Sequence, residues 1–420
     1  MHPFRLSRRK FLTLSGAALA ARALPALADG LLPIDLYKDV RPAANAVNAF
    51  AADFYRKVAA GEKGNLFVSP FSIETALSMT SAGARGKTLE EMQKVLHLPA
   101  DPHPAFGMLA NHLTADTPGK KRPYQLSVAN AIWAHQGYPW EKAFVELTRK
   151  HYGAGLIEVD FAKSEAARKL INEWVEKETK EKIKELIPDG VITPLTRMVL
   201  ANAIHFKSDW LYRFDKKQTK DAAFTRADGT KADVPLMALT AKLNYTELAL
   251  PIPRFTEKVQ VLELPYAGKE LSMLVFLPAD AGGVLRAGQW LTADILAKTE
   301  LKPAEVRVSL PRFKAESALS LKPVLMDMGM KAAFTPGGAD FTGMSPQGKE
   351  LFITHVLHKA FVDVNEEGTE AAAATAVVIG RPAAVNQTKV FRADRPFVFA
   401  IRDNATGATL FLGRYSGPPK

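Results

Sequence analysis

Apolar residues recur at helical spacing in several stretches of the first half of the chain. Segment 47–58 places its apolar side chains on one face of a helix. Ser69 followed by Pro70 predicts the start of a second helix, because serine caps free amides and proline fits the first turn. Thr88 and Glu91 have the spacing of a capping box, which predicts a third helix start. A fourth helix is predicted within 165–183, with one apolar stripe formed by Ala167, Leu170, Ile171, Trp174 and Val175.

The pattern changes near residue 257, where runs of β-branched and aromatic residues are bounded by Gly, Pro or Asn. These runs predict strands at 259–266, 271–278, 306–313, 396–403 and 408–415. The last two are joined by a polar connection that favours a hairpin, and their lack of alternation predicts burial on both faces. Neither a linker nor a repeat divides residues 46–420, so the chain is predicted to form one large α+β domain.

The composition is that of a globular protein with ample core material, since 47% of its 420 residues are hydrophobic and 24% are charged. No apolar run reaches the roughly eighteen residues that a membrane helix needs, so no membrane span is predicted. The chain has no cysteine, which excludes disulfides, thiol nucleophiles and cysteine-ligated metals.

The N-terminus has the features of an export signal. Residues 7–28, SRRKFLTLSGAALAARALPALA, combine paired arginines, a mildly apolar stretch and a small-x-small cleavage site. We expect residues 1–28 to be a twin-arginine signal peptide cleaved near Ala28, followed by a tail at 29–45, with the mature protein in the periplasm or outside the cell. A Sec-type signal and an amphipathic helix are the alternatives. Loss of this basic segment lowers the net charge from +11 to +6.

Motifs for catalysis or cofactor binding are missing from the sequence. Segment 81–88, SAGARGKT, lacks the first glycine of a phosphate-binding loop and follows a predicted helix, so it predicts a turn between helices. The chain contains neither a Gly-x-Ser-x-Gly elbow nor a His-Glu-x-x-His motif. His355 and His358 lie in a predicted strand, where a spacing of three places them on opposite faces. We therefore expect no enzyme activity, no cofactor and no metal.

Basic residues cluster at 120–122 and in a lysine-rich stretch at 177–184. These lysines alternate with glutamates on a predicted helix, which is typical of a solvent-exposed, ion-paired face. With a net charge of only +6, nucleic-acid binding is not predicted, and weak polyanion contact is the most that this charge supports.

A stretch near the C-terminus, NEEGTEAAAATAVVIG at 365–380, mixes alanines that favour helix with residues that favour strand. Alternate residues from Thr369 to Ile379 are all uncharged, as one buried face of a central strand requires. No proline interrupts the stretch before Pro382, and Gly368 is interpreted as a flexible pivot. The segment therefore suits a strand that enters a sheet, while a surface helix or a linker is the alternative.

Five long blocks of the chain resemble, in order, blocks of the serpin family, and they lie at 65–92, 200–215, 261–278, 309–334 and 393–415. The resemblance extends from about Val47 to Pro418. It implies a single α+β domain with three β-sheets, eight or nine helices and an exposed reactive loop at about 365–390.

The resemblance also implies a function. A target serine protease, or a cysteine protease, would cleave the loop and form an acyl-enzyme. The cut loop would then insert into the largest sheet and trap the protease in a covalent 1:1 complex. The inhibitor would act as a monomer. A non-inhibitory serpin that serves as a binding or chaperone-like protein is the alternative.

Individual positions carry over from the family to this sequence. The hinge, which is the first part of the reactive loop, corresponds to Glu367, Gly368, Thr369, Glu370, Ala371, Ala372, Ala373, Ala374 and Thr375. The shutter, a polar cluster beneath the point where the main sheet opens, corresponds to Ser69, Ser72, Asn202 and His358. The breach, an aromatic position at the top of that sheet, corresponds to Trp210. The polar groups of the shutter suit hydrogen bonds that hold the sheet closed.

Three positions are candidates for the reactive bond. A loop of the usual family length, counted fourteen residues on from Gly368, ends at Pro382, which is a poor residue on the acyl side of a cut. A loop one residue shorter uses Arg381, which suits trypsin-like enzymes although Pro382 would follow the cut. A loop three residues longer uses Val385, which suits an elastase-like pocket. We rank Arg381 first.

Overall fold

The structure, a computed structural model, describes residues 34–61, 64–115, 122–153, 155–369 and 388–419. The helices within these ranges are α1 (Ile34–Gly61), α2 (Pro70–Ser81), α3 (Gly86–Val95), α4 (Pro102–Thr114), α5 (Lys142–Tyr152), α6 (Ser164–Glu178), α7 (Ala287–Trp290), α8 (Ala293–Lys298) and α9 (Lys322–Met328). None of these described helices is long and apolar enough to cross a membrane.

The strands of the same ranges are β1 (Leu66–Val68), β2 (Tyr124–His135), β3 (Leu156–Val159), β4 (Met198–Asp209), β5 (Lys220–Thr225), β6 (Lys231–Ile252), β7 (Phe255–Pro265), β8 (Leu271–Pro278), β9 (Lys302–Pro311), β10 (Phe313–Ser320), β11 (His355–Val364), β12 (Gly368–Thr369), β13 (Lys389–Arg392), β14 (Phe397–Asp403) and β15 (Thr409–Tyr415). The α+β class predicted from the sequence is confirmed.

The six-stranded sheet carries the candidate site. Its order is β10-β11-β12-β4-β2-β3. Strands β4 and β11 are parallel and pair directly from His355 opposite Val199 to Phe361 opposite His205. Beyond this point the short strand β12 lies between them. The sheet is therefore closed along most of this seam and open at one end.

The nine-stranded sheet has the order β1-β15-β14-β8-β7-β6-β9-β13, with β5 paired to β6. Its longest strand, β6, pairs with β9 through residues 236–245 and with β7 through residues 244–252. Two of the three expected sheets are therefore joined through β6 into one continuous sheet. The predicted hairpin of β14 and β15 is confirmed, and both strands are almost entirely buried.

Three apolar clusters form the core of the described chain. One contains residues of both sheets, such as Phe206 of β4 and Val275 of β8. A second surrounds α1 and α2, and a third packs α6 against β2 and β4. Helix α2 begins as predicted, with Ser69 accepting a hydrogen bond from the Ser72 amide and Pro70 in the first turn. All twelve residues of α2 are buried, so this helix is a central support of the fold.

The predicted boundary between tail and domain is crossed by α1. This helix begins at Ile34, and Val40, Ala43 and Ala44 are fully buried. These side chains belong to the packed domain rather than to a tail, because burial of apolar surface stabilises the helix beyond the stretch that the sequence pattern marked.

The predicted capping box at Thr88 and Glu91 is wrong. Helix α3 begins two residues earlier at Gly86, and the Thr88 hydroxyl accepts a hydrogen bond from the Asp340 amide at 2.9 Å. The Glu91 carboxylate accepts from the amides of Lys331 and Ala332, at 2.6 Å each. Both side chains therefore bind backbone amides of a distant segment instead of those of their own helix. The turn predicted at 81–88 does connect α2 to α3.

The fourth predicted helix is too long at its C-terminal end. Helix α6 ends at Glu178, and Lys180 and Glu181 have positive φ angles of 53° and 62°, which no α-helix contains. Most of the lysine-rich stretch is therefore irregular. The apolar stripe is also narrower than predicted, because Leu170 is 47% exposed.

Strands β2 to β6 precede the region in which the sequence pattern predicted strands. The longest of them, β6, contains Pro235 and Pro251, which lower the strand signal. Both prolines lie where β6 has a strand on only one side. The run at 306–313 is divided at Arg312, where β9 ends and β10 begins.

Candidate functional site

The start of the predicted hinge lies inside the six-stranded sheet. Gly368 and Thr369 form β12, which runs antiparallel to β4 with Gly368 opposite Asp209 and Thr369 opposite Ser208. On its other side Thr369 pairs with Val364 of β11. The chain therefore leaves β11, reverses and re-enters the sheet between its two central strands.

The reversal at 365–367 is held by the segment that follows β4. The Trp210 amide donates to the Glu367 carbonyl at 2.8 Å, and the Trp210 indole N–H donates to the Asn365 carbonyl at 2.9 Å. The Phe214 amide donates to the Glu366 carbonyl at 2.9 Å. Trp210, the predicted breach residue, thus lies at the open end of the sheet and binds the turn directly.

Gly368 lies in close contact with the backbone of β4. A Cβ atom on Gly368 would lie 2.1 Å from the Ser208 carbonyl oxygen and 2.7 Å from the Asp209 Cα. Only a residue without a side chain fits against β4 here, which is a steric requirement that the sequence did not indicate. The role of Gly368 as a pivot stays a prediction.

Thr369 is fully buried beside an aromatic pair. Its hydroxyl shares a hydrogen bond of 2.8 Å with the Tyr266 hydroxyl. The Tyr266 ring stacks on Trp210 with centroids 4.6 Å apart and planes 10° from parallel. Burial raises the pKa of Tyr266, so its phenol is neutral and keeps its proton for this bond.

Two glutamates of the turn have different surroundings. Glu366 is 2% exposed, and its carboxylate accepts from the Thr219 hydroxyl at 2.8 Å with Arg312 at 3.6 Å. Glu367 forms a 2.6 Å ion pair with Lys216, whose side chain is 66% exposed. Glu366 is therefore held in a buried position by two partners, whereas the exposed Glu367–Lys216 ion pair contributes little to stability.

The four predicted shutter residues are brought together below β12. The Ser69 amide donates to His358 Nε2 at 3.1 Å, so His358 carries its proton on Nδ1 and donates to the Asn202 carbonyl oxygen. The Asn202 amide group donates to the Ser72 hydroxyl at 2.5 Å. The Ser69 hydroxyl donates to the Leu410 carbonyl at 2.6 Å. Burial lowers the pKa of His358 to about 3, which keeps the imidazole neutral.

Asn130 of β2 is a fifth member that the sequence did not indicate. It lies opposite Asn202 in the β2–β4 register, and its side-chain carbonyl accepts from Asn202 and, at 3.2 Å, from the Ser72 hydroxyl. The cluster therefore links three neighbouring strands to α2. Only the register of β2 against β4 identifies this residue, and the register is not visible in the sequence.

Several predicted positions lie outside the described residues. They are the signal peptide at 1–28, the hinge positions Glu370, Ala371, Ala372, Ala373, Ala374 and Thr375, and the reactive-bond candidates Arg381, Pro382 and Val385. Among the described residues, no group of three or more potential ligands is placed to hold a metal ion. His355 and His358 lie on β11, as predicted, and His355 is not part of the shutter cluster.

A family model described as serpin (serine protease inhibitor) matches residues 45–418. The chain belongs to the serpin family. An uncharacterized serpin-like protein of Thermococcus kodakarensis is 41% identical to it over 387 residues, which cover 90% of this chain and 86% of the relative. The leukocyte elastase inhibitor of Equus caballus is 41% identical over 382 residues, which cover 88% of this chain and 97% of the inhibitor.

Solved structures share this serpin's fold. Serpin48, described as a highly specific serpin of the insect Tenebrio molitor, has a TM-score of 0.77 at 32% identity and covers 93% of this chain and 100% of its own. Uncleaved ovalbumin has a TM-score of 0.76 at 28% identity and covers 90% of this chain and 100% of its own. The predicted serpin-type fold is therefore confirmed.

Proposed function

We propose that this serpin inhibits serine endopeptidases, or cysteine endopeptidases, by acting as a suicide substrate. Family membership and the relatives named leukocyte elastase inhibitor support protease inhibition in general. The proposed mechanism has three steps, which are cleavage in the reactive loop, formation of an acyl-enzyme and insertion of the cut loop between β4 and β11.

The position of β12 is the observation that carries the proposal. Gly368 and Thr369 already occupy the first two positions of a strand antiparallel to β4. A cut farther along the loop would free the following residues to extend this strand. On the order of ten new backbone hydrogen bonds, each contributing about 0.5–1.5 kcal/mol, would approach the stability of a whole domain. Such a step would be effectively irreversible.

The register indicates where insertion would meet resistance. Continued residue by residue along β4, the pairing of Thr369 with Ser208 would bring Thr375 opposite Asn202. Asn202 is the residue whose side chain bonds His358 across the seam. Insertion would therefore break the Asn202–His358 hydrogen bond and offer Asn202 a threonine hydroxyl in its place.

A protease panel tests the proposed function. Trypsin-like and elastase-like enzymes are incubated with the mature protein, and a complex that survives detergent and heat is expected with at least one of them. Sequencing the released C-terminal peptide distinguishes Arg381, Pro382 and Val385 as the cleaved position. Proteases inactivated at their nucleophile serve as the control and should give no stable complex. Cleavage by the active enzymes without any complex would instead support the non-inhibitory alternative.

Export by the twin-arginine route is a separate proposal that rests on residues 7–28. The N-terminal sequence of the mature protein is expected to begin after Ala28. Replacing Arg8 and Arg9 with lysine should retain the precursor in the cytoplasm. Export that is unaffected by this replacement would favour a Sec-type signal.

A further inference from the structure

Tyr266 follows β7 and is held rigidly by aromatic neighbours. It forms an isolated β-bridge with Trp210 and stacks on the Trp210 ring. Phe206 of β4 contacts the Tyr266 ring edge to face, with centroids 5.1 Å apart. Tyr266 is 0% exposed, so neither the ring nor its hydroxyl can turn towards solvent. With Thr369 in the sheet, the packing of the ring against Trp210 and Phe206 therefore fixes the position of the hydroxyl.

The partner of this hydroxyl is the first hinge side chain inside the sheet. Thr369 is also 0% exposed, and the two hydroxyls lie 2.8 Å apart. If Thr369 left the sheet, Tyr266 would retain a buried hydroxyl without this hydrogen bond, which is unfavourable. If the strand slipped by one residue, Gly368 would present no side chain to Tyr266, and the Thr369 side chain would point to the other face.

We propose that Tyr266 is a positioning residue whose hydroxyl holds Thr369 at the open end of the sheet before cleavage and thereby sets the register of insertion. The effect of Tyr266 on protease trapping rests on the proposed inhibitory function, whereas its effect on the position of Thr369 does not. Trp210 has a matching role in the backbone, since it binds the carbonyls of Asn365 and Glu367 in the same turn. The side chain of Tyr266 bonds the hinge residue Thr369, and Trp210 bonds the backbone of the turn that precedes it.

Replacing one hydroxyl or both separates this role from simple core packing. Tyr266→Phe and Thr369→Val each leave one buried hydroxyl without its partner, whereas the double variant leaves none. Removing both partners of a buried hydrogen bond often changes stability little, whereas removing one partner lowers stability because the other is left buried and unpaired. A pure packing role for Tyr266 would give additive effects, because Phe keeps the ring and Val keeps the shape of threonine.

The first test needs no protease. Hydrogen exchange of the amides at 366–369 and the total tryptophan fluorescence, to which Trp210 contributes, are compared in the wild type, both single variants and the double variant. We expect roughly tenfold faster exchange and altered fluorescence in each single variant, and restoration towards wild type in the double variant. Tyr152→Phe is the matched control, because it removes a partly buried tyrosine hydroxyl that bonds Ser78 and His103, far along the chain from the hinge. Additive effects in the double variant, or the same change in the control, would overturn the proposal.

The second test measures the outcome with a protease that forms the stable complex. Tyr266→Phe should be cleaved at the wild-type rate, but several-fold more serpin molecules should be consumed for each protease molecule trapped. In the double variant this ratio should return towards the wild-type value. Unchanged stoichiometry in Tyr266→Phe would contradict the proposed control of insertion. If the wild type trapped no protease, the inhibitory function would fail, whereas the exchange experiment would still decide the role of Tyr266.

Discussion

Asn202 and His358 lie directly opposite each other on the parallel strands β4 and β11, and their side chains are hydrogen bonded across the seam. The same imidazole accepts a hydrogen bond from the Ser69 amide, just before α2. The His358 side chain therefore links β4 and β11, the two strands that the proposed insertion would separate, to the start of α2. Because His358 is fully engaged by one donor and one acceptor, only its neutral form fits this cluster.

The stability of the uncleaved protein should therefore fall on acidification through His358. Its pKa of about 3 is below the unfolded value of about 6.5, so the unfolded chain binds this proton more tightly. The contribution is complete above pH 6.5 and is lost as pH falls towards 3. Acidification from pH 6.5 to pH 5 should therefore lower the free energy of unfolding by roughly 2 kcal/mol through this residue.

Urea unfolding of the wild type and of His358→Gln, at intervals between pH 5 and 7.5, measures this contribution. The variant is expected to be less stable at neutral pH but to depend less steeply on pH. His97→Gln, which removes an exposed histidine, is the control. Parallel pH profiles for the wild type and His358→Gln would show that the imidazole does not cause the acid sensitivity.

The pH dependence contributed by Glu74 should have the opposite sign. This residue of α2 is fully buried, and neither of its carboxyl oxygens has a hydrogen-bond partner among the described residues. Burial raises the pKa of Glu74 well above its usual range, so the folded protein binds this proton more tightly than the unfolded chain does. The contribution of Glu74 to the free energy of unfolding is fully present below its unfolded pKa of about 4.3. It is lost, at up to about 1.4 kcal/mol per pH unit, as the pH rises towards the pKa of Glu74 in the folded protein.

Glu74→Gln removes this ionisable group and keeps nearly the same volume. We expect the variant to melt at a higher temperature than the wild type at pH 8 and at the same temperature near pH 4. Exposed Glu90→Gln, on α3, controls for the loss of one carboxyl. A variant that is less stable than the wild type at pH 8 would mean that the Glu74 carboxylate has a stabilising partner.

Much of the fold could be predicted from local patterns. The start of α2 at Ser69 and Pro70 and the hairpin of β14 and β15 depend on neighbouring residues, and both are confirmed. The resemblance to serpins supplied the shutter positions, which the structure brings together. Asn130 could not be found in this way, because its place beside Asn202 is decided by the pairing of two strands distant in sequence.

Other errors arise because one chemical group can serve two structural purposes. Thr88 and Glu91 can accept amides of their own helix or, as the structure shows, amides of residues 331–340. The sequence offers no means to choose between these partners. In the same way a glycine at 368 suits a pivot as well as a close backbone approach, and the close approach to Ser208 is visible only in the structure.

Gly368→Ala should expel β12 from the sheet. The new methyl group would lie 2.1 Å from the Ser208 carbonyl oxygen, and this contact is with backbone, so a rotamer change cannot relieve it. We expect faster hydrogen exchange and proteolysis at 365–369 together with a small change in melting temperature. Gly61→Ala is the control, because a Cβ there would meet nothing within 4 Å. Wild-type protection at 365–369 in Gly368→Ala would show that β4 can move to admit a side chain.

Thr369→Arg should convert the inhibitor into a substrate. Thr369 is fully buried between β4 and β11, and an arginine in its place would bring an unpaired cation into the sheet, at a cost of several kcal/mol. The candidate reactive bonds follow Thr369 by twelve residues or more, so we expect cleavage to proceed as in the wild type. The freed loop would then insert too slowly to trap the acyl-enzyme. We therefore expect cleaved serpin and active protease in place of the detergent-stable complex, measured by gel and by residual protease activity. Thr369→Ser keeps the hydroxyl that bonds Tyr266 and should inhibit like the wild type. If Thr369→Arg formed stable complexes as efficiently as the wild type, insertion between β4 and β11 would not be the trapping step.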